Sequence, residues 1–474
     1  MRNIKTHKVE QLVMAAVAFF WCFLMWFASA AFVPTIASEF DLGIKGVALL
    51  ASSAIWTAPI LRPLAGWSSD KIGAPATFVV ILVICGGFSI LSAYAKTLGP
   101  AIGVTEYQFL FWTRVIVAAA GISFVVGIQH VAQWFESEEM GAAEGLYAGT
   151  GNVGAGVGAL MLPRLYGLDY RTAFIHLGIV AFIIALWILF RGVAAKSVEQ
   201  AAMAKKTATM RDTIFIWTRH AAIALMFAYA MCFGLEIGMN AWLPGYYKIG
   251  FAEAIKSLGF ESLKDVQIAA GSFAAVQSFN ASLFRPFSGW ISDIWQRNRW
   301  MPFPLISKKL YYAPRIHWLM FALLCITTTM ILLTVAGLSG NVVWSVLILA
   351  FFGITVAFGT GGTFAIVPLM FKERPGTATG FIGGVSCAGG IVYPLIYGNA
   401  AGWFGEGGIH MGYAFVAVTM FIPFILYFIW SMHWDIHPED HGFGSKEKWL
   451  GKTESEEAPA AAAATTTAAS SSES

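Results

Sequence analysis

Leu61–Asp70 reads LRPLAGWSSD, and Phe284–Asp293 reads FRPFSGWISD. Both spell R-P-x-x-G-W-x-S-D, and an offset of 223 positions carries Arg62 onto Arg285. Each arginine closes a long apolar run, where a cation at the centre of hydrocarbon costs at least about 2.5–3.5 kcal/mol. So expensive a charge, placed twice in one local frame, implies a duplicated unit and a use for the charge.

The surrounding sequence sets the class. Of 474 residues, 57% are hydrophobic and only 12% charged, against about 25% charged in soluble domains. Apolar runs of about 20 residues, each able to cross a roughly 30 Å hydrocarbon layer, recur along the chain. The reading is an all-α polytopic membrane protein of twelve transmembrane helices, from residues 11–36 to 411–432. The widest polar gap, Arg191–Arg219, separates six spans from six. The expected organisation is an N-terminal six-helix half (1–191), a cytoplasmic central loop (192–216), a C-terminal half (217–433) and a largely disordered cytoplasmic tail (434–474). The tail's Ala, Ser, Thr and Glu cannot bury enough apolar area to order it.

Loop charge sets the orientation. Of 30 Lys and Arg, 20 fall in the N-terminus, even-numbered loops and tail, and 7 in the odd-numbered loops. The positive-inside rule then places both termini in the cytoplasm of a multi-pass protein of the cytoplasmic (inner) membrane. One copy of the arginine frame ends span 2 and the other ends span 8. A shift of six spans keeps direction, so the halves are parallel repeats about an axis along the membrane normal.

Several classes are excluded. The five cysteines lie in apolar runs without a C-x-x-C pair and read as core residues, so no metal and no cofactor are expected. The stretch HWDIHPEDH reads as a solvated juxtamembrane segment rather than a metal site. Nucleophile-elbow, zincin, phosphate-loop and nucleic-acid signatures are absent from the sequence, and the polar loops are too short for a catalytic domain. The chain therefore reads as no enzyme. It is expected to work as a monomer in lipid.

The depth of the arginines points to their use. Asp70 closes a polar G-x-x-x-D-K-x-G turn over Gly66–Gly73, at the membrane surface. Arg62, eight residues earlier, stands about 12 Å deeper, close to the midplane of a layer whose half-thickness is roughly 15 Å. The same holds for Arg285 and Asp293. Snorkelling or a structural ion pair would each place an arginine there. The reading preferred here is two cavity-facing guanidinium groups converging on one anion. An arginine fork donates two parallel hydrogen bonds and keeps its proton.

Span 7 reads MFAYAMCFGLEIGMNAWLP, and Tyr229, Glu236 and Asn240, spaced 7 and 4, share one helix face. Glu236 is the only carboxylate well inside a span. Proton carrier, counter-ion and structural hydrogen bond all remain open for it. Spans 5 and 11 repeat a glycine theme: an offset of 235 carries Gly141, Gly145, Gly149 and Gly154 onto Gly376, Gly380, Gly384 and Gly389. Small residues four apart let helices approach closely. Gly149, Gly151, Gly154, Gly383 and Gly384 are the candidates for a sliding or gating surface, beside Asn152. Arg114 and His130 read as structural and core residues.

These residues together resemble the nitrate/nitrite porter family of the major facilitator superfamily, over spans 1 to 12. The paired arginines, the glycine-rich stretches GAAEGLYAGTGNVGAGVG and GTATGFIGGVSCAGG, and F-G-x-E-x-x-x-N at Phe233–Asn240 carry the resemblance. It implies the major facilitator fold and secondary active transport of nitrate or nitrite by alternating access, as exchange or as proton-coupled uptake. It also implies that Arg62 and Arg285 grip the anion, that Tyr229 helps bind it, and that Phe124 stacks on it. Phe23 matches the span 1 aromatic and Asn152 the span 5 asparagine. Ser386 and Cys387 depart from the family's glycine or asparagine, and Glu236 is absent from many exchangers, so the coupling mode stays open. The alternatives are a carrier of formate, oxalate or phosphate, and a non-transporting anion sensor.

Overall fold

Among the described residues, with short helices at Val33–Glu39, Ala95–Ala101 and Ala252–Ser257 in the connections, twelve long helices follow one another, several of them broken. They are α1 (Ile4–Ala31), α2 (Ile44–Ser53 and Ala58–Ile72), α3 (Ala74–Ala93), α4 (Glu106–Val117 and Ser123–Trp134), α5 (Ser137–Tyr166), α6 (Tyr170–Arg191), α7 (His220–Tyr229 and Leu235–Gly250), α8 (Leu263–Leu283 and Arg285–Asn298), α9 (Pro314–Leu338), α10 (Val342–Met370), α11 (Pro375–Val385 and Gly389–Phe404) and α12 (Gly408–Val416 and Ile422–Asp435). This computed structural model describes residues 4–135, 137–194, 220–303, 314–370, 375–405 and 407–435. The central loop and tail expected at 192–216 and 434–474 lie almost wholly outside the described residues.

The breaks have chemical causes, and the two arginine frames differ in them. In α8, Pro286 has no amide to bond to Ser282 O and its ring crowds that carbonyl, so the helix breaks at Phe284 and restarts at Arg285 with the proline in its first turn. In α2 the break falls earlier, before Ala58, with Pro59 in the first turn of the restart. Arg62 is thus inside a helix and Arg285 opens one. Gly73, at φ +87°, turns the chain out of α2 in a backbone conformation that side chains resist. A capping box starts α4: the Thr105 hydroxyl accepts from the Gln108 amide at 3.1 Å, and Gln108 Oε1 accepts from the Thr105 amide at 3.0 Å.

Ten of the twelve are long and apolar enough to cross a membrane; α5 and α8 fall short. Their position explains it. They pack on each other across the two halves, so their faces meet protein rather than lipid, and they carry Gly, Ser, Gln and Asn there. Within the N-terminal half α1 packs on α5 and α3 on α6; within the C-terminal half α9 packs on α10 and α11 on α12. The halves meet where α5 packs on α8 and α2 on α11. A shift of six helices exchanges these two contacts, as the repeated sequence frame requires.

The face of the bundle away from the chain termini is closed across the halves. Gln267 on α8 accepts from the Thr35 hydroxyl at 2.5 Å and donates to Gly167 O at 2.6 Å. Lys248 on α7 donates to Pro34 O at 2.8 Å. At the terminal face the ion pairs stay within a half: Lys8 with Glu139, Arg191 with Glu10, and Arg315 with Asp293.

Glu39, on the closed face, joins three elements by accepting from Tyr170 at 2.9 Å and pairing with Arg171 and Lys96. Burial pushes its carboxyl up, but hydrogen bonds from Arg171 and Tyr170 outweigh that and hold it below the ordinary value. A lowered native pKa gives stability above the unfolded value and loses it as pH falls through the folded one. Glu39→Gln is expected to cost about 1 kcal/mol at neutral pH. The gap in melting temperature between variant and parent should close below about pH 4.

Candidate anion site

Phe233 on α7 is the centre of the site. The Arg62 guanidinium carbon lies 5.0 Å from its ring centroid and 5.7 Å from that of Phe124. The Arg285 guanidinium carbon lies 5.8 Å from the same Phe233 centroid. The arginines are therefore no farther apart than the sum of their distances to one ring. Both sit where a cation gains from an aromatic face. Neither reaches outward: Arg62 is 1% exposed and the Arg285 side chain 11%.

Their hydrogen bonds divide the tasks. Arg62 donates through Nη1 to Gly383 O of α11 at 3.0 Å and through Nη2 to Gly121 O in the bend of α4 at 3.3 Å. It thereby ties the two halves together. Arg285 donates through Nη2 to Glu236 Oε2 at 2.6 Å, and the Glu236 side chain is 2% exposed. The Nε of each arginine is buried with no hydrogen-bond partner, and so is the Tyr229 hydroxyl. The Tyr229 ring stacks on Phe233 at 5.2 Å and 14° and meets Phe364 of α10 edge-on at 4.6 Å. Phe124 stacks on Phe233 from the other half at 6.4 Å and 28°. Three buried unpaired donors thus belong to side chains that share the Phe233 ring, with stacked rings from both halves beside them.

Local backbone puts them there. A turn of π-helix over Ala230–Gly234 lies between Tyr229 and Glu236; such bulges often mark functional positions. It closes on α11, where an added Cβ at Gly234 would stand 2.6 Å from Ser386 O.

Asn152 donates to Ala148 O at 2.8 Å and keeps a buried, unpaired Oδ1. Its repeat mate Cys387 bonds to Gly383 O at 3.3 Å, the same four-residue step. Asn240, a turn beyond Glu236, also has an unpaired buried Oδ1. Phe23 packs edge-on against Phe19 and Trp26; it is Phe19 that stands 5.6 Å from Phe124. Gly151 and Gly154 seat α1, since an added Cβ would lie 1.6 Å from the Phe19 ring and 2.3 Å from Phe20 O. Gly149 looks across to Ser282 O of α8 at 4.0 Å, and Gly383 to Phe364 at 3.7 Å. Gly384 is buried in α11. Gly145 and Gly380 have nothing within 4 Å, so the seam expected there is not close-packed.

Arg114 donates to Met25 O at 2.6 Å and lies over Phe174 at 4.4 Å, away from Phe233 and inside the N-terminal half. His130 is buried beside Trp134. Phe233, Phe364 and the carbonyl of Gly121 are site components that the sequence reading passed over. For Phe233 a signal existed: it stands four residues after Tyr229 and three before Glu236, on the face they share.

Two six-helix repeats closing around one buried polar centre define a membrane carrier of the alternating-access architecture. The sequence matches the Major Facilitator Superfamily over residues 15–394; the chain belongs to that family, which is a family of transporters and not of enzymes. It is similar to a probable nitrate/nitrite antiporter, NarK1, of Thermus thermophilus, 23% identical and covering 90% of this chain and 91% of the relative. It is also similar to the nitrate/nitrite transporter NrtP of Nostoc punctiforme, 22% identical over 80% of this chain and 85% of the relative. Among solved structures it resembles an inward-facing bacterial homologue of the human lysosomal transporter Spinster, with TM-score 0.65, 13% identity and 92% and 98% of the two chains covered. A D-xylose–proton symporter has TM-score 0.63, 13% identity and 93% and 99% coverage. These structural likenesses concern the fold.

Proposed function

We propose that this chain carries nitrate and nitrite across the cytoplasmic membrane by alternating access, as a monomer with both termini in the cytoplasm. Arg62 and Arg285 hold the anion from the two halves. The observation that carries the reading is the ring of unpaired buried donors, Arg62 Nε, Arg285 Nε and Tyr229 hydroxyl, around Phe233. Buried donors without partners are costly unless a ligand or water satisfies them. A flat anion can lie beside the stacked rings while its oxygens accept from the guanidinium groups over the Phe233 ring. The names of the relatives point to the same substrates. A tetrahedral phosphate presents no flat face to the rings.

The test is counterflow in liposomes. Vesicles holding the purified protein and loaded with nitrite should take up labelled nitrate, and equal external formate, oxalate or phosphate should not compete. Nitrate flux no greater than in empty vesicles sinks the reading; strong competition by formate or oxalate reassigns the substrate.

Tyr229→Phe separates binding from folding. Its hydroxyl has no protein partner to lose, so the melting temperature should hold or rise. Nitrate, deprived of one hydrogen bond worth about 1.5 kcal/mol to a charged acceptor, should bind roughly tenfold more weakly by titration.

A further inference from the structure

We infer that Glu236 is a proton-binding site whose occupancy is set by the anion: nitrate displaces the carboxylate from Arg285, and the freed carboxylate takes up one proton. The inference rests on the nitrate reading above and specifies its coupling.

The geometry makes the two events exclusive. Arg285 Nη2 is spent on Glu236 Oε2 at 2.6 Å, and the same guanidinium lies over the ring where the anion is to sit. A bidentate grip on nitrate takes donors from that fork. Once Arg285 turns to the anion, Glu236 is a carboxylate shut in a nonpolar helix bundle without its counter-charge. Such a charge neutralises rather than persists. Among the described residues the charged and titratable groups of the site leave no other candidate. Arg285 comes from α8 and Arg62 from α2 across Phe233. Tyr229 and Cys232 lie on α7, Cys387 on α11, and α10 contributes Phe364. Guanidinium groups stay charged, and phenols and thiols stay neutral in the physiological range. Glu236 is the group left to titrate.

Charge counting agrees. Among the described residues the charged side chains in the fully buried set are Arg62, Arg114 and Glu236, with Arg285 at its edge. Two arginines and one carboxylate give the empty centre a net charge of +1. One nitrate with one proton leaves it at +1, whereas nitrate alone would lower it to zero. The empty and loaded centres then carry the same charge through the membrane.

A route for the proton is marked by polar atoms that have no protein partner. Asn240 Oδ1, Ser278 Oγ and both amide atoms of Gln277 are buried and unpaired. Asn240 lies one turn beyond Glu236 on α7, which runs toward the closed face. Ser278 and Gln277 lie seven and eight residues before Arg285 on α8, which runs back from that face. At about 1.5 Å per residue they stand roughly 6, 10 and 12 Å beyond the ion pair, steps that water can bridge. The proton passes from hydronium at that face to the Glu236 carboxylate. It leaves to water on the terminal side when Arg285 releases the anion and reclaims the carboxylate.

The test uses nitrate itself. Purified protein in weakly buffered detergent near neutral pH, with an indicator dye, should take up about one proton per nitrate bound, the bound nitrate being measured by titration calorimetry. Nitrate affinity should weaken up to tenfold per pH unit on the alkaline side, and Glu236→Gln should make it independent of pH. In liposomes an imposed acid-outside gradient should drive nitrate accumulation by the parent protein and at least tenfold less by the variant. Proton-neutral, pH-independent nitrate binding by the parent overturns the coupling but leaves the anion site standing. No nitrate binding by the parent overturns both. Because the decisive measurements are on the parent chain, poor folding of the variant cannot rescue the proposal.

Discussion

Arg62→Lys is expected to lower nitrate counterflow at least a hundredfold while the protein stays folded and inserted. The charge survives the change; the fork does not. In the native chain one guanidinium does three things at once. It donates to Gly383 O in one half, donates to Gly121 O in the other, and keeps a buried, unpaired Nε while its carbon lies over the shared ring. An ammonium is a point donor on a flexible stem. It can reach a carbonyl or the anion, but it cannot hold both halves and keep a second nitrogen in the plane the anion needs. Truncating one partner of a buried charged contact costs about 2–5 kcal/mol, so a hundredfold lies inside the expected range. Circular dichroism and a monodisperse elution profile would establish folding, and initial counterflow rates would establish function. A lysine variant that keeps half the parent rate removes Arg62 from the anion's contacts, whatever the fate of Arg285.

How much of this was legible beforehand follows from what each feature depends on. Apolar length and the repeated R-P-x-x-G-W frame are local, so twelve helices, two halves and two inward arginines could be read from the chain alone. Even α5 and α8, too polar to pass as ordinary spans, read as apolar runs at 141–164 and 266–292. Pairing across helices is not local. Glu236 read equally well as counter-ion, proton carrier or structural group until Arg285 appeared 2.6 Å from it, 49 positions away in sequence. Phe233 is one of 38 phenylalanines; its spacing from Tyr229 and Glu236 puts it on their face, but only the fold brings both arginines over its ring. Phe23 and Phe19 lie one helical turn apart on α1, and helix periodicity alone does not separate them; the ring beside Phe124 is Phe19. The glycines mislead most, since spacing shows that two backbones can approach but not which glycine has a neighbour.

Gly154→Ala and Gly149→Ala should therefore behave in opposite ways to what a uniform sliding surface implies. The two residues belong to the same glycine-rich helix, yet they face different neighbours. A Cβ at Gly154 would stand 2.3 Å from Phe20 O and 3.1 Å from Leu24 N, backbone atoms of α1 that no side-chain rotation can move. To accept one methyl, α1 and α5 must part along the tightest pairing of the N-terminal half. Overpacking of this kind costs about 1–3 kcal/mol, with the upper end expected where backbone must shift. A Cβ at Gly149 would meet Ser282 O at 4.0 Å, an ordinary contact across the seam between the halves. Gly154→Ala should lower the yield of monodisperse protein and its melting temperature, and reduce transport in proportion to folded protein. Gly149→Ala should fold like the parent, and any loss of counterflow there would belong to movement of one half past the other. If instead Gly154→Ala folds fully and blocks transport, the α1–α5 seam moves during the cycle and is not fixed packing.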